Sequence, residues 1–267
     1  MMAANLSILI ITYNRPKDTL ELLHSLKKQT DFDAYLGEVL LLNNASSVSY
    51  AEVARFVEKN KDLRIRYFDH HENLGVAGGR NFLIKRAQYP ILFVLDDDVL
   101  LPDKASLKKA ASLFSKDQYV KENTVIITCE IFYYSNGERQ QNAFPHKRYK
   151  KYKEKDWFLT YYFTGAAHLM KKSLFERIGD YPEDFFYGME EYDLSYRVIN
   201  AGYSLAYDQS IRVLHKESPD GRVTNKEKLG MMWYNKAVVA WRYLPKKYFY
   251  STIGMWALQY LKETSGD

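Results

Sequence analysis

The sequence predicts an α/β fold: a mostly parallel sheet flanked by helices, followed by a C-terminal helical extension. Three observations carry this. Through residues 6–96 short apolar runs alternate with amphipathic helical patterns, the βα signature of a parallel sheet. Hydrophobic residues are 46% and charged residues 27% of the 267, which supports a buried core and excludes a disordered chain or a polytopic membrane protein. From Lys226 to Lys262 strand patterning gives way to helical spacing, interrupted near Pro245.

The elements follow in order. LSILIITY (6–13) is a short apolar strand. After Asn14-Arg15-Pro16 comes a helix, TLELLHSLKKQ, with leucines at 20, 22, 23 and 26 and Pro16 at a first-turn position. EVLLLN (38–43) is a second strand, AEVARFVEKN a helix, RIRYF a strand, GGRNFLIKRA a helix, and ILFVLD (91–96) a strand bounded by acidic residues. In such a sheet ligands lie at the carboxyl ends of the strands. The second half is less regular: residues 135–155 form a polar, basic loop, WFLTYYFTGAAHLM (157–170) is extended, and EYDLSYRVINAG (191–202) is a helix ended by Gly202. SLAYD and IRVLH follow as two short strands. No internal repeat is present, so residues 1–225 read as one α/β domain and 226–267 as its helical extension.

Composition narrows the ligand and the compartment. Aromatic residues reach 15%, with 23 Tyr, which suits a cleft walled by amphipathic rings of the kind sugars and nucleobases occupy. The single cysteine, Cys129, forbids an intrachain disulfide and sits in an apolar run as a small buried thiol, so a reducing compartment is expected. No signal-peptide pattern opens the chain, and the longest uncharged run, 248–261, is shorter than the ~20 residues a membrane span needs. A cytoplasmic protein is expected, at most resting on the inner face of a membrane. The net charge of +5 is uneven: residues 139–155 carry +6 and 226–267 carry +4, around a body at −5. Such basic patches attract phosphates. No nucleic-acid signature accompanies them, so nucleic acid is not expected as a partner.

Several residues can carry chemistry. Asp96-Asp97-Asp98 closes an apolar strand at the edge where a ligand would lie, and three successive carboxylates repel one another unless a cation neutralises them. His215 closes a late strand, while Glu190, Glu191 and Asp193 open a helix. Together they supply an oxygen-and-imidazole metal site and a separate carboxylate base, the needs of a displacement with a phosphate leaving group. Gly75-Val76-Ala77-Gly78-Gly79 lies between a strand and a helix and is either a tight structural turn or a loop that lets backbone approach a ligand. It fits neither the dinucleotide glycine pattern nor the P-loop.

Six segments in order, SILIITYNRP, NLGVAGGRN (73–81), VLDDDVLLP (94–102), TGAAHLMKKSLFERIGDYPEDFF (164–186), GMEEYDLSYRVINAGY (188–203) and VLHKES (213–218), resemble the motif series of family-2 nucleotide-sugar glycosyltransferases with the GT-A fold. The similarity spans about residues 5–218 and is nearest the rhamnosyl- and galactofuranosyl-type branch. It implies a nucleotide-sugar half over about 1–102 and an acceptor half over about 103–225. By position, Thr12, Tyr13, Asn14 and Arg15 would border the nucleotide, and Gly75, Gly78, Gly79 and Arg80 would line the sugar nucleotide. Asp96 and Asp98 would be the outer members of the DxD motif, Asp97 between them on the donor side, with Asp98 and His215 on the metal. Glu191 falls at the catalytic base, with Gly165, Ala166, Glu190 and Asp193 on the acceptor side.

The resemblance implies an inverting transferase that uses Mn²⁺ or Mg²⁺, a nucleotide-diphosphate sugar donor and a glycan or glycolipid acceptor of surface polysaccharide synthesis. Two positions depart from the family: Asn43 stands in LLNNAS where Asp is usual, and the base is Glu191 where Asp is common. An amide at position 43 can match the donor and acceptor edge of uracil or thymine, so a UDP- or dTDP-sugar is expected if Asn43 reads the base; it can equally be a turn residue. An aspartyl phosphohydrolase is disfavoured because Leu100 occupies the Thr position of DxDxT. A catalytically silent sugar-nucleotide-binding protein is the remaining alternative. Aromatic and basic residues interleaved in the extension suit either an anionic membrane surface or completion of the acceptor cleft.

Overall fold

The structure, a computed structural model, describes residues 5–221 and 224–264. Four parallel strands, β1 (Leu6–Thr12), β2 (Leu36–Asn44), β3 (Ile65–His70) and β4 (Ile91–Asp96), lie in the order β3-β2-β1-β4. The sheet continues through β8 (Ala167–Lys171), antiparallel between β4 and β6 (Thr124–Tyr133), then β9 (Ser204–His215), parallel to β6. Short β5 (Val99–Leu100) and β7 (Trp157–Thr160) pair antiparallel with opposite ends of β9.

Both faces are covered, which is why β1, β2 and β4 are almost continuously apolar. Successive side chains alternate between faces. Ile8, Ile10, Val39 and Leu41 pack with Leu22, Leu23 and Leu26 of helix Pro16–Lys27 and with Val53 of helix Ala51–Lys59. Leu9, Leu40 and Leu42 share the other core with Ala77 and Leu83 of helix Gly75–Ile84 and Leu194 and Val198 of helix Glu190–Asn200.

Register sets the site. Thr12 pairs with Asn43, Ile11 with Asp96, and Asn43 with Asp69, so the carboxyl ends of β1 to β4 share one edge. Pairing of Val99 with His215 brings the end of β9 beside the acidic turn after β4.

Four expectations are corrected. SLAYD and IRVLH belong to one strand, β9, because a register shift against β6 between Thr128 and Glu130 absorbs residues 208–211 without ending the pairing. The extended reading of 157–170 divides into β7 and β8, with 161–166 as the link to a different part of the sheet. Gly75–Gly79 is not a loop ahead of the helix but its opening turns. Its start is fixed by side chains from outside the helix: Asn44 Oδ1 accepts from the Leu74 N–H at 3.0 Å and Asn73 Oδ1 from the Gly75 N–H at 2.9 Å. The loop 135–155 contains two single turns, Gln141–Ala143 and Tyr149–Tyr152.

Helix Asn225–Tyr243 begins in a capping box between Thr224 and Glu227 and is anchored on the segment around helix Glu190–Asn200. Asn235 donates to the Tyr187 and Gly188 carbonyls, Tyr243 donates to Asp193 at 2.8 Å, and the Tyr196 and Tyr243 rings stack. Helix Lys246–Thr264 folds back on it through Trp233 against Tyr260 and Lys236 against Trp256, and buries none of its own residues. Among the described residues no helix is long and apolar enough to cross a membrane.

Candidate active site

A cleft of about 360 Å³ opens at the carboxyl edge of the sheet, large enough for a small ligand. Tyr13 and Arg15 after β1, Asp96 to Asp98 after β4, Gly75 and Arg80 of helix Gly75–Ile84, Phe186, His215 and Glu217 line it.

Its cationic and anionic groups are arranged in two clusters. In the first, Asp96, Asp98 and His215 each offer a ligand atom, all within 4.8 Å of one another. Asp98 Oδ1 is buried without a hydrogen-bond partner, 3.3 Å from His215 Nε2, while Oδ2 accepts from the Ser218 N–H at 2.9 Å. A buried lone pair left open toward an imidazole and a second carboxylate fits a divalent cation. Burial pushes Asp98 upward, yet His215, Arg15 and the Ser218 N–H together hold it below the ordinary carboxylate range. For His215 burial works downward, and the charges of Asp98 and Asp96 raise it overall. Asp97 is paired instead with Arg15, whose guanidinium also stands 3.4 Å from Asp98 Oδ2. It accepts from Arg15 at 2.9 Å, and burial pushes it up to about 7 against the pull of that guanidinium. Arg15 also donates to the Ser218 and Asp220 carbonyls, so it holds the 216–221 loop against the acidic turn.

The second cluster centres on Arg80, whose side chain is 3% exposed. It donates to Glu191 at 2.8 Å, to Glu190 at 3.3 Å and to the Gly165 carbonyl at 3.3 Å, and stands 3.9 Å from Asp96. Burial lowers its affinity for the proton, and Glu191, Tyr181, Glu190 and Asp96 more than offset that, so the guanidinium is firmly charged. Glu190 is held well above the ordinary carboxylate range, by burial first and by Glu191 next. Helical geometry places adjacent residues about 100° apart, but Met189 enters the helix with φ +73°, and both carboxylates reach the same guanidinium. A Cβ on Gly165 would stand 2.4 Å from Glu191 Oε1, so a side chain at this position would displace that carboxylate. Ala166 accepts the Asp96 N–H at 2.9 Å and ties β4 to the same turn.

Other expected site residues stand behind the cleft. Thr12 is fully buried, its hydroxyl 2.7 Å from Thr19 and 2.6 Å from Tyr50, and Asn14 clamps the turn after β2 by accepting from Ser47. Gly79 packs the helix on Ile11 and Leu42, and Gly78 is open apart from Leu74. Asp193 joins helices, accepting from Arg197, Arg242 and Tyr243. Asn43 departs furthest from expectation. Its Nδ2 donates to Asp69 at 2.9 Å and its Oδ1 accepts from the Ser46 N–H at 3.2 Å, so both edges of the amide are committed as a turn residue's would be. The neighbouring Asn44, on the opposite face of β2, lines the cleft instead. Sequence reasoning also missed Asn73, Phe186, Tyr187, Glu217 and Lys228 of the cleft lining; period-two alternation in β2 separates Asn43 from Asn44, but with both faces buried it does not say which one meets the cleft.

Residues 7–179 match the family model described as glycosyl transferase family 2. An uncharacterised protein of Haemophilus influenzae is 33% identical over 180 residues, 66% of this chain and 92% of that protein. An uncharacterised glycosyltransferase of Rickettsia bellii is 34% identical over 106 residues, covering 39% of this chain and 14% of its own length. Among solved structures, the mannosyltransferase PcManGT of Pyrobaculum calidifontis, in complex with GDP-Man and Mn²⁺, superposes with TM-score 0.62 at 20% identity over 88% of this chain. GalNAc-T7 with UDP, GalNAc and Mn²⁺ gives 0.65 at 17% over 82%, and S. aureus TarS with UDP-GlcNAc gives 0.62 at 17% over 97%. These likenesses establish the fold as that of GT-A glycosyltransferases. The chain spans 61% of the length of PcManGT, 44% of GalNAc-T7 and 73% of the TarS fragment.

Proposed function

The chain belongs to glycosyl transferase family 2, and from that membership we propose that it is an inverting, metal-dependent transferase moving a sugar from a nucleotide-diphosphate donor to an acceptor hydroxyl. The observation that carries this reading is Arg80. One guanidinium, itself in the cleft lining, spans Glu191 at 2.8 Å and Asp96 at 3.9 Å, so the proposed base stands one side chain away from the acidic turn proposed to hold the donor phosphates.

Asp98 and His215, with Asp96 beside them, would hold Mn²⁺ or Mg²⁺, which when bound neutralises the diphosphate as its charge grows. Glu191 takes the proton from the attacking hydroxyl. Arg80 and the absent side chain at Gly165 place that carboxylate, and attack opposite the diphosphate inverts the anomeric carbon. Tyr13, Gly75 and Asn44 provide the wall for the nucleotide. Asp69 and Ser46 occupy the Asn43 amide, so neither of its edges is left for a uracil or thymine ring.

The acceptor is proposed to be a glycan or glycolipid of surface polysaccharide synthesis, met at the cytoplasmic face of an anionic membrane. Support comes from helix Lys246–Thr264, where exposed Met255, Leu258 and Leu261 accompany Lys246, Lys247 and Lys262. The test is calorimetry with UDP, dTDP and GDP, then a donor panel that includes rhamnosyl and galactofuranosyl nucleotides with free-nucleotide detection. Asp98→Ala and His215→Ala are expected to abolish metal-dependent nucleotide binding. Undiminished binding in chelator overturns the metal-dependent reading, and nucleotide binding without turnover of any donor favours a silent sugar-nucleotide-binding protein.

A further inference from the structure

Gln140 lies just beyond β6, in the segment whose sequence offered charge but no motif. The chain turns back after Tyr133, and the Gln140 N–H donates to the Ile131 carbonyl at 2.8 Å, which sets the side chain beside the end of β9. Gln140 is 3% exposed, and both ends of its amide are used: Nε2 donates to Glu217 Oε1 at 2.9 Å, and Oε1 is 2.9 Å from His215 Nδ1.

The direction of this chain follows from what each group can give. An ionised carboxylate offers only acceptors, so the amide must turn its NH₂ toward Glu217. Its carbonyl is then left facing His215, and a carbonyl cannot donate. Nδ1 of a neutral His215 must therefore carry the hydrogen, which leaves the lone pair on Nε2, the nitrogen 3.3 Å from Asp98 Oδ1. Reversing the amide would let its NH₂ donate to Nδ1 of the other tautomer, but it would set its oxygen against the Glu217 carboxylate, so the alternative tautomer is opposed at that contact.

We infer that Gln140 and Glu217 are positioning residues that fix the tautomer and ring orientation of His215, presenting Nε2 to a divalent cation between it and Asp96 and Asp98. The inference rests on the reading of His215 as a metal ligand. It extends that reading to two residues outside the motif series, one supplied by the basic segment after β6 and one by the 216–221 loop. Partners of this kind, which hold the far nitrogen of a liganding histidine, generally contribute about 10–100-fold to metal affinity.

The probe is Mn²⁺ alone, titrated into the full chain without nucleotide and followed by the paramagnetic resonance signal of the free ion. Gln140→Leu is expected to weaken binding about 10–100-fold. The exchanged pair Gln140→Glu with Glu217→Gln is expected to restore most of the affinity, because the new amide donates to the new carboxylate, whose other oxygen still accepts from Nδ1–H. A residue that merely packed the loop would show no such rescue. Melting in chelator checks that each variant is folded; if Gln140→Leu is not, Glu217→Gln alone, which frees the amide to reverse, is expected to weaken Mn²⁺ in the same direction. If His215→Ala binds Mn²⁺ like the wild type, or the wild type binds none, the ligand reading falls and the inference with it. If His215→Ala loses Mn²⁺ while the folded Gln140 and Glu217 variants keep it, or the exchanged pair fails to recover it, the inference alone is overturned.

Discussion

Replacing Arg80 by leucine is expected to cost about 3–5 kcal/mol of folding stability, the usual consequence of breaking a buried ion pair from one side. The side chain is 3% exposed and makes three hydrogen bonds, to Glu191 at 2.8 Å and to Glu190 and the Gly165 carbonyl at 3.3 Å. At about 1.5–3 kcal/mol for each bond involving a charged group, a simple sum would be about 5–9 kcal/mol. That sum is not reached, because Glu190 can relieve itself by taking a proton: burial and Glu191 already hold it well above the ordinary carboxylate range. What remains is the loss of donors to Glu191 and to the carbonyl, less the gain from placing an apolar side chain against Tyr181. Urea denaturation in metal-free buffer measures it. A loss below about 1.5 kcal/mol would refute the argument, since a group worth less than one charged hydrogen bond cannot be the centre of the cluster. Arg80→Leu combined with Glu190→Leu is expected to recover part of the loss, and strictly additive losses would show that the two do not interact.

The remaining expectations concern the same edge and the extension. A carboxyl whose folded pKa is raised binds its proton more tightly in the native state, so Glu190 makes stability fall as pH rises above the unfolded value of about 4.3. Glu190→Gln removes that slope; denaturation midpoints at pH 5 and pH 8 should show the variant gaining on the wild type at the higher pH, and an unchanged difference would exclude it. Glu191→Gln is expected to slow turnover about 10²–10⁴-fold while nucleotide affinity measured by calorimetry stays near wild type, whereas near-normal turnover would move the base to Glu190. Flotation with vesicles of anionic lipid should carry the protein in a salt-sensitive manner, and equal flotation with neutral lipid would remove the charge argument for helix Lys246–Thr264.

How much of the site could be read without the structure depends on how local each feature is. The acidic turn is local: an apolar strand that ends in Asp96-Asp97-Asp98 leaves its carboxylates at the sheet edge wherever the rest of the chain goes. His215 and Glu191 also close or open an element, and came into view through the motif series. Asn43 shows the limit of that approach. Its position in LLNNAS drew attention, yet side chains on a strand alternate, and the face toward helix Gly75–Ile84 belongs to Asn44. The glycines were legible as a place of close approach but not as a helix start. That depended on Asn44 and Asn73 reaching the N–H groups of Leu74 and Gly75 from outside the helix.

The sequence by itself determined the alternating strands and helices of the first half, the double-faced burial of β1, β2 and β4, the helical extension and the acidic edge, because apolar period and strand termination are properties of neighbouring residues. Tertiary structure alone decided which side chains meet across the chain. Arg80 joins Glu191 over a separation of 111 residues, and Gln140 joins His215 over 75. Neither pairing has a period or a motif to announce it. Each depends on sheet register: β4 beside β8 sets Asp96 against Ala166, next to the Gly165 carbonyl that Arg80 also holds, and β6 beside β9 sets Tyr133 against His215. Register is settled by the packing of both sheet faces together, a sum over the whole fold that no single segment contains.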